Sequence, residues 1–117
     1  KAHAQVTTIV HVSIDSGFHI QSDRPKLDYL IPSTIAVAPA AGIHVVRVAW
    51  PQATDHRFSF APDPLPVFEG TLAIPVTLAT GAPGTTVLHG SFRYQACNDE
   101  LCRPPVTEPF TLTVAVR

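Results

Sequence analysis

The residues of this 117-residue chain best suited to chemistry are its two cysteines, Cys97 and Cys102. They stand in the stretch 94–105, YQACNDELCRPP, with only Asn98, Asp99, Glu100 and Leu101 between them. Asn-Asp is turn chemistry, because short polar side chains bond back to the local backbone. A run rich in β-branched and aromatic residues precedes the pair (85–96), and an alternating run follows it (107–116). The simplest arrangement places the cysteines across the mouth of a β-hairpin loop. Directly opposed residues on antiparallel strands lie about 4.5–5.5 Å apart at Cα, and a disulfide wants roughly 4.4–6.8 Å. Such a pair can close and reopen with little backbone movement, as thiol–disulfide exchange requires.

A hairpin disulfide can also be a staple. Closing so short a loop stabilises by only about 2 kcal/mol in the chain-entropy model, against nearly 5 for a loop of about 100 residues. Strand parity bears on the same choice. Leu88, Phe92, Tyr94 and Ala96 share one side of the strand, while His89, Ser91, Arg93, Gln95 and Cys97 share the other. The first set reads as core. The second reads as the outer face, which would leave the Cys97 sulfur reachable, and a bulge near the loop would reverse this parity. A redox-active pair, a structural bond, and metal-bound or unpaired thiols all remain open on these grounds. The Cys-x4-Cys spacing is not the Cys-x2-Cys of thioredoxin-like sites or zinc ribbons. Arg93 and Arg103 are the nearby cations and Asp99 and Glu100 oppose them, so no strongly activated thiol is expected.

Composition narrows the function classes. Charged residues make up 15% of the chain and the net charge is −1, so the basic clusters that bind nucleic acid or an anionic membrane are missing. No apolar run approaches the ~18 residues of a transmembrane helix. The chain begins at Lys1 without a signal-peptide core, which reads as a mature form or an excised domain. A close cysteine pair fits an oxidising compartment. The six histidines (3, 11, 19, 44, 56 and 89) show no ligand spacing, so they read as surface or structural groups, and neither a metal nor a cofactor is expected. Asp99 and Glu100 read as a solvated loop tip, and Trp50 and Tyr94 as core. Gln95, beside Cys97, is placed to bond the loop or a partner's backbone. No Ser/His/Asp triad or phosphate-cradling glycine loop is present.

The elements that must position the cysteines are short and β-like. Twelve prolines and six glycines punctuate them, and no segment keeps a helical period. Residues 5–15 alternate with Val6, Thr8, Val10, Val12 and Ile14 inward. Residues 18–21 form a short extended piece. Residues 33–38 and 43–50 read as strands, the second with Val46, Val48 and Trp50 on one face. Residues 51–68 read as a long irregular loop holding Phe58, Phe60 and Phe68, and loops of that length are usually functional or disordered. Residues 71–78 place Leu72, Ile74, Val76 and Leu78 inward, and Pro75 suggests an edge strand or an outward N–H. Phe110, Leu112, Val114 and Val116 complete the core. About seven to nine such strands predict an all-β, immunoglobulin-like antiparallel sandwich, with residues 1–117 as a single domain.

The chain resembles the N-terminal periplasmic domain of the DsbD family of thiol:disulfide interchange proteins, over nearly its whole length. The resemblance is carried by Gly17-Phe18-His19-Ile20, by Tyr29-Leu30-Ile31-Pro32, by Phe68-Glu69-Gly70 leading to Ile74-Pro75-Val76, and above all by Tyr94-Gln95-Ala96-Cys97 with Cys102 and Pro104-Pro105. It implies a protein-disulfide reductase domain with one redox pair, Cys97 and Cys102. Cys102 would form the mixed disulfide with a partner and Cys97 would resolve it, with Tyr94, Gln95 and Pro104 as supporting residues. Electrons would arrive from a thioredoxin-like C-terminal domain fed by a membrane-embedded part of the same protein. They would leave to disulfide isomerases and the thioredoxin-like proteins of cytochrome c maturation, in the periplasm. The domain is expected to be a monomer. A cap loop near residues 57–62 would shield the pair, with Phe60 the first candidate for the shielding aromatic and Phe58 the second. Two departures from the family are visible. Some members have one more residue between the cysteines, and the acidic residues that flank the cap aromatic in well-known members are replaced here by Arg57, Phe58 and Ser59. The competing reading is a non-catalytic immunoglobulin-like binding module with a structural hairpin disulfide, and a copper- or other metal-handling module is a third.

Overall fold

Alternation along Gln5–Ser13 (β1) and Thr71–Ala79 (β7) dictates the first layer. Every second side chain turns inward on each strand, and the antiparallel register sets Val10 opposite Ile74 and Val12 opposite Leu72. The computed structural model describes residues 4–117; His3, counted above among the histidines, lies outside them. His44–Val48 (β4) completes a sheet of order β1-β7-β4. The facing layer has the order β10-β8-β3, built from Val106–Val116 (β10), Gly84–Tyr94 (β8) and Thr34–Val37 (β3). Ile74, Val76 and Leu78 of one layer meet Leu88, Phe92 and Val114 of the other. Trp50 stacks on Phe68 with ring centroids 6.0 Å apart, which closes one end of that core. The described residues contain no helix, and the architecture is the immunoglobulin-like antiparallel sandwich that the strand pattern predicts.

Three local expectations fail for identifiable reasons. Between Val45 and Arg47 the β4–β7 register shifts by a bulge, which reverses parity. Val46 is therefore 44% exposed, and Val45 turns inward with Val48 in its place. Pro75 does not mark an edge, because β7 lies between β1 and β4. Its carbonyl accepts from Ala49 N at 2.8 Å, so its missing N–H points towards β4 at the place where that strand ends. The segment 51–68 is not wholly irregular either. It supplies Thr54–His56 (β5) and Leu65–Phe68 (β6), which open a third sheet of order β5-β6-β2-β9.

That small sheet positions the cysteines. His19–Gln21 (β2) is buried throughout and runs between β6 and the two-residue strand Ala96–Cys97 (β9). His19 pairs with Cys97, Ile20 with both Ala96 and Phe68, and Gln21 with Val67. The turn from β6 to β7 passes through Glu69 and Gly70. Gly70 adopts φ 74°, which a side-chain-bearing residue resists, and the turn holds Glu69 beside His19.

Candidate functional site

The chain leaves β8 at Tyr94, and Gln95 breaks the strand before β9 joins β2. Asn98 then makes the turn. Its Oδ1 accepts from the backbone N–H groups of Glu100 and Leu101, both at 2.9 Å, and its own N–H donates to the Leu101 carbonyl at 3.0 Å. This tight turn brings Cys97 and Cys102 to a Cα separation of 4.0 Å, where they form a disulfide. After the turn Arg103 N donates to the Ala96 carbonyl at 2.8 Å, which closes the neck of the loop.

The expected exposure of Cys97 is not found. Its relative exposure is 0%, and it packs with Leu30, Phe58, Ala61, Leu65 and Val67. The alternation predicted along β8 continues past Gln95, with Ala96 packed beside Phe92 and Tyr94 in the main core and Cys97 on the opposite side, but a second apolar cluster rather than solvent covers that side. The sulfur therefore points into a small apolar cluster beneath the 57–62 loop. Cys102 packs against the same cluster and is only half-buried.

Two aromatics of the loop 57–62 pack in the cluster that holds the pair. Phe58 is 2% exposed within the cluster that contains Cys97, and Phe60 lies over it with ring centroids 5.0 Å apart, itself half-buried. In burial the two aromatics stand in the reverse of their order as candidates. The loop is tied to the cysteine turn through Asp99. Ser59 donates to the Asp99 carbonyl from its N–H (3.1 Å) and from its hydroxyl (2.7 Å), and His56 Nε2 meets Asp99 Oδ1 at 2.9 Å. Asp99 is thus more than a solvated tip, although its side chain is exposed.

Two histidines complete the surroundings. The His19 and His56 rings lie 4.0 Å apart, and Phe58 makes edge contacts with both, at 5.6 and 4.6 Å. His19 Nε2 also meets Glu69 Oε1 at 3.3 Å. Among the described residues no group of three or more His, Cys, Asp or Glu side chains is arranged to hold a metal ion.

Of the supporting residues, Gln95 does tie the loops. Its Oε1 accepts from Ile31 N at 2.9 Å and its Nε2 donates to the Arg103 carbonyl at 3.3 Å. Tyr94 lies on the other side, stacked on Phe92. Burial raises its pKa, and the charges of Glu108 and Asp15 raise it further. Pro104 is exposed in the connection to β10. Arg103 places its guanidinium over the Phe18 ring, 4.7 Å from the centroid.

One contact was invisible in the sequence. Gln21 is 0% exposed, and its Nε2 donates to Cys97 Sγ at 3.2 Å. Nothing in a lone glutamine on a three-residue strand announces this. It depends on β2 lying beside β9 across a separation of 76 residues.

A profile of the family described as thiol:disulfide interchange protein DsbD, N-terminal, matches residues 2–114. The chain belongs to this family. Two solved structures share its fold. One is the reduced DsbD N-terminal domain of Neisseria meningitidis, with 16% identity, a TM-score of 0.63, and coverage of 99% of this chain and 86% of that one. The other is the N-terminal periplasmic domain of ScsB from Proteus mirabilis, with 12% identity and a TM-score of 0.67, where 98% of this chain spans 42% of the other. A search of curated proteins finds no match. Membership of the DsbD N-terminal family, together with a cysteine pair at bonding distance, supports thiol–disulfide exchange as the chemistry of this site.

Proposed function

We propose that this domain relays electrons through Cys97 and Cys102 between thioredoxin-like proteins, as the disulfide-reductase module of a larger protein. The observation that carries this reading is the asymmetry of the pair: Cys97 is enclosed and Cys102 alone reaches the surface. Exchange needs a thiolate to approach one sulfur in line with the bond that breaks, so access selects the sulfur attacked. A partner thiolate would attack Cys102 and form the mixed disulfide there. Cys97 would be displaced, and in the reverse direction it would resolve the complex. Phe58 and Phe60 would cover the pair until a partner moves the loop, which keeps the reduced thiols from adventitious oxidants.

The physiological setting extends the same reading. The ScsB domain is described as periplasmic, and a closable cysteine pair suits such an oxidising compartment. The electron donor would be a thioredoxin-like domain of the same, membrane-tethered protein. The acceptors would be disulfide isomerases and the thioredoxin-like proteins of cytochrome c biogenesis, and the domain itself would act as a monomer. A Cys97→Ser variant should accumulate a mixed disulfide with a thioredoxin-like protein through Cys102. Trapping through Cys97 in a Cys102→Ser variant instead, or no trapping in either, would contradict the assignment.

One observation favours a second reading, in which the bond is structural. Cys97 lies in an apolar cluster with Leu30, Leu65 and Val67, which suits a buried staple. A structural bond resists reduction by the glutathione pool, whereas an exchanging one does not.

A further inference from the structure

Gln21 touches a reacting atom, and half of its amide is unused. Its side chain is wholly buried, Nε2 lies 3.2 Å from Cys97 Sγ, and Oε1 has no hydrogen-bond partner among the described residues. A disulfide sulfur carries no hydrogen and accepts only weakly, so the amide N–H is the group that faces it. The backbone of Gln21 is held on three sides. Its N–H donates to the Gln95 carbonyl at 3.1 Å, its carbonyl accepts from the Ser33 hydroxyl, and the residue pairs with Val67 of β6. A buried amide with an orphaned acceptor is costly and calls for an explanation in the molecule's working cycle.

The reduced state provides one. We propose that Gln21 is a catalytic residue for exchange, which receives Cys97 as the leaving thiolate and then holds it as the resolving nucleophile. The inference rests on the exchange reading above. A partner dithiol, acting as a thiolate, forms a bond from its sulfur to Cys102 Sγ. The Cys97–Cys102 bond breaks, and its electron pair passes to Cys97 Sγ. The negative charge develops 3.2 Å from Gln21 Nε2, where a weak contact becomes a charge-assisted hydrogen bond. The partner's second thiolate then attacks the partner sulfur of the mixed disulfide and releases Cys102. The partner ends as a disulfide and this domain as a dithiol, so two electrons have moved and no other reactant is consumed. When Cys97 takes up a proton, its S–H is a donor that the orphaned Oε1 can accept. The amide therefore matches either protonation state of reduced Cys97 better than it matches the disulfide. In the opposite direction the same N–H lowers the thiol's pKa, which raises the thiolate fraction available for attack on the mixed disulfide.

The test compares wild type with Gln21→Leu and Gln21→Met, which retain bulk and lose the amide. Dithiothreitol serves as the small dithiol, and a glutathione redox buffer sets the equilibrium. Reduction of the wild type by either reagent tests the exchange reading on its own. If the wild type exchanges, both variants should be reduced about tenfold more slowly by dithiothreitol, as loss of a hydrogen bond to a charged group implies. Their equilibrium in glutathione should shift about tenfold towards the disulfide, which is about 30 mV for a two-electron couple. In a Cys102→Ser background, the thiolate absorbance of Cys97 should titrate at higher pH once Gln21 is replaced. Folded variants with unchanged reduction rate, equilibrium and titration would overturn the proposal. If neither variant folds, the side-chain amide resonance of Gln21 in the wild type decides. It should shift and gain exchange protection on reduction, and an unchanged resonance would overturn the proposal equally.

Discussion

Phe58→Ala is the perturbation that bears most directly on the cover over the disulfide. Phe58 is 2% exposed and contacts the rings of His19, His56 and Phe60. Truncating a buried phenylalanine costs about 3–5 kcal/mol in a rigid core. The 57–62 loop is a surface segment that can partly collapse, so a value near the lower end, about 3 kcal/mol, is appropriate. Two ties to the Asp99 carbonyl survive the substitution, because both come from Ser59. The loss therefore falls mainly on local opening of the loop. Since 1.4 kcal/mol is a factor of ten, the open population should rise by up to about a hundredfold. The assay is iodoacetamide labelling of the reduced protein, followed by intact mass, with circular dichroism to show that the fold persists. Labelling of the cysteines should accelerate by at least about tenfold, a bound that allows for incomplete coupling between opening and access. A folded variant labelled at the wild-type rate would refute the idea that this ring shields the thiols.

Asp99→Ala should act in the same direction and more weakly, since it removes only the exposed carboxylate that meets His56; stability should fall by less than about 1 kcal/mol, with a several-fold rise in labelling. Tyr94 should give the domain an alkaline limit. Its folded pKa is raised by burial and by Glu108 and Asp15, so its contribution is fully present below the unfolded value of about 10 and is lost as pH rises through the folded one; urea titrations above pH ~9 should show this decline, and Tyr94→Phe should flatten it. The bulge in β4 predicts that Val46→Ser changes stability by no more than about 0.5 kcal/mol, whereas Val48→Ser, packed between both core clusters, should cost several times that in a thermal melt.

The sandwich was legible because its signal is periodic and local. Inward residues on β1, β7 and β10 follow from strict alternation, and Asn98 makes the turn that its side chain suggests. What escaped depends on departures from that period or on distant neighbours. The bulge after Val45 reverses parity, and the apolar cluster that covers the outer side at Cys97 is gathered from distant segments; no residue type announces either. Pro75 misled because a central strand can tolerate it where its neighbour ends. In the site, the two cysteines, Phe58, Phe60 and Gln95 were legible from residue type and resemblance. Gln21, His19 and His56 were not, because the third sheet that gathers them joins segments far apart in the chain. Their types alone favoured an ordinary surface or structural role.

The central claim is that the Cys97–Cys102 bond is exchanged in the working cycle. The measurement that tests it most directly is its reduction potential, from equilibration of the isolated domain with defined glutathione buffers and quantification of free thiols. The account predicts a value above about −300 mV, within reach of thioredoxin-like partners. A potential well below that, with the bond intact in every buffer, would contradict it and leave a structural disulfide in an immunoglobulin-like domain.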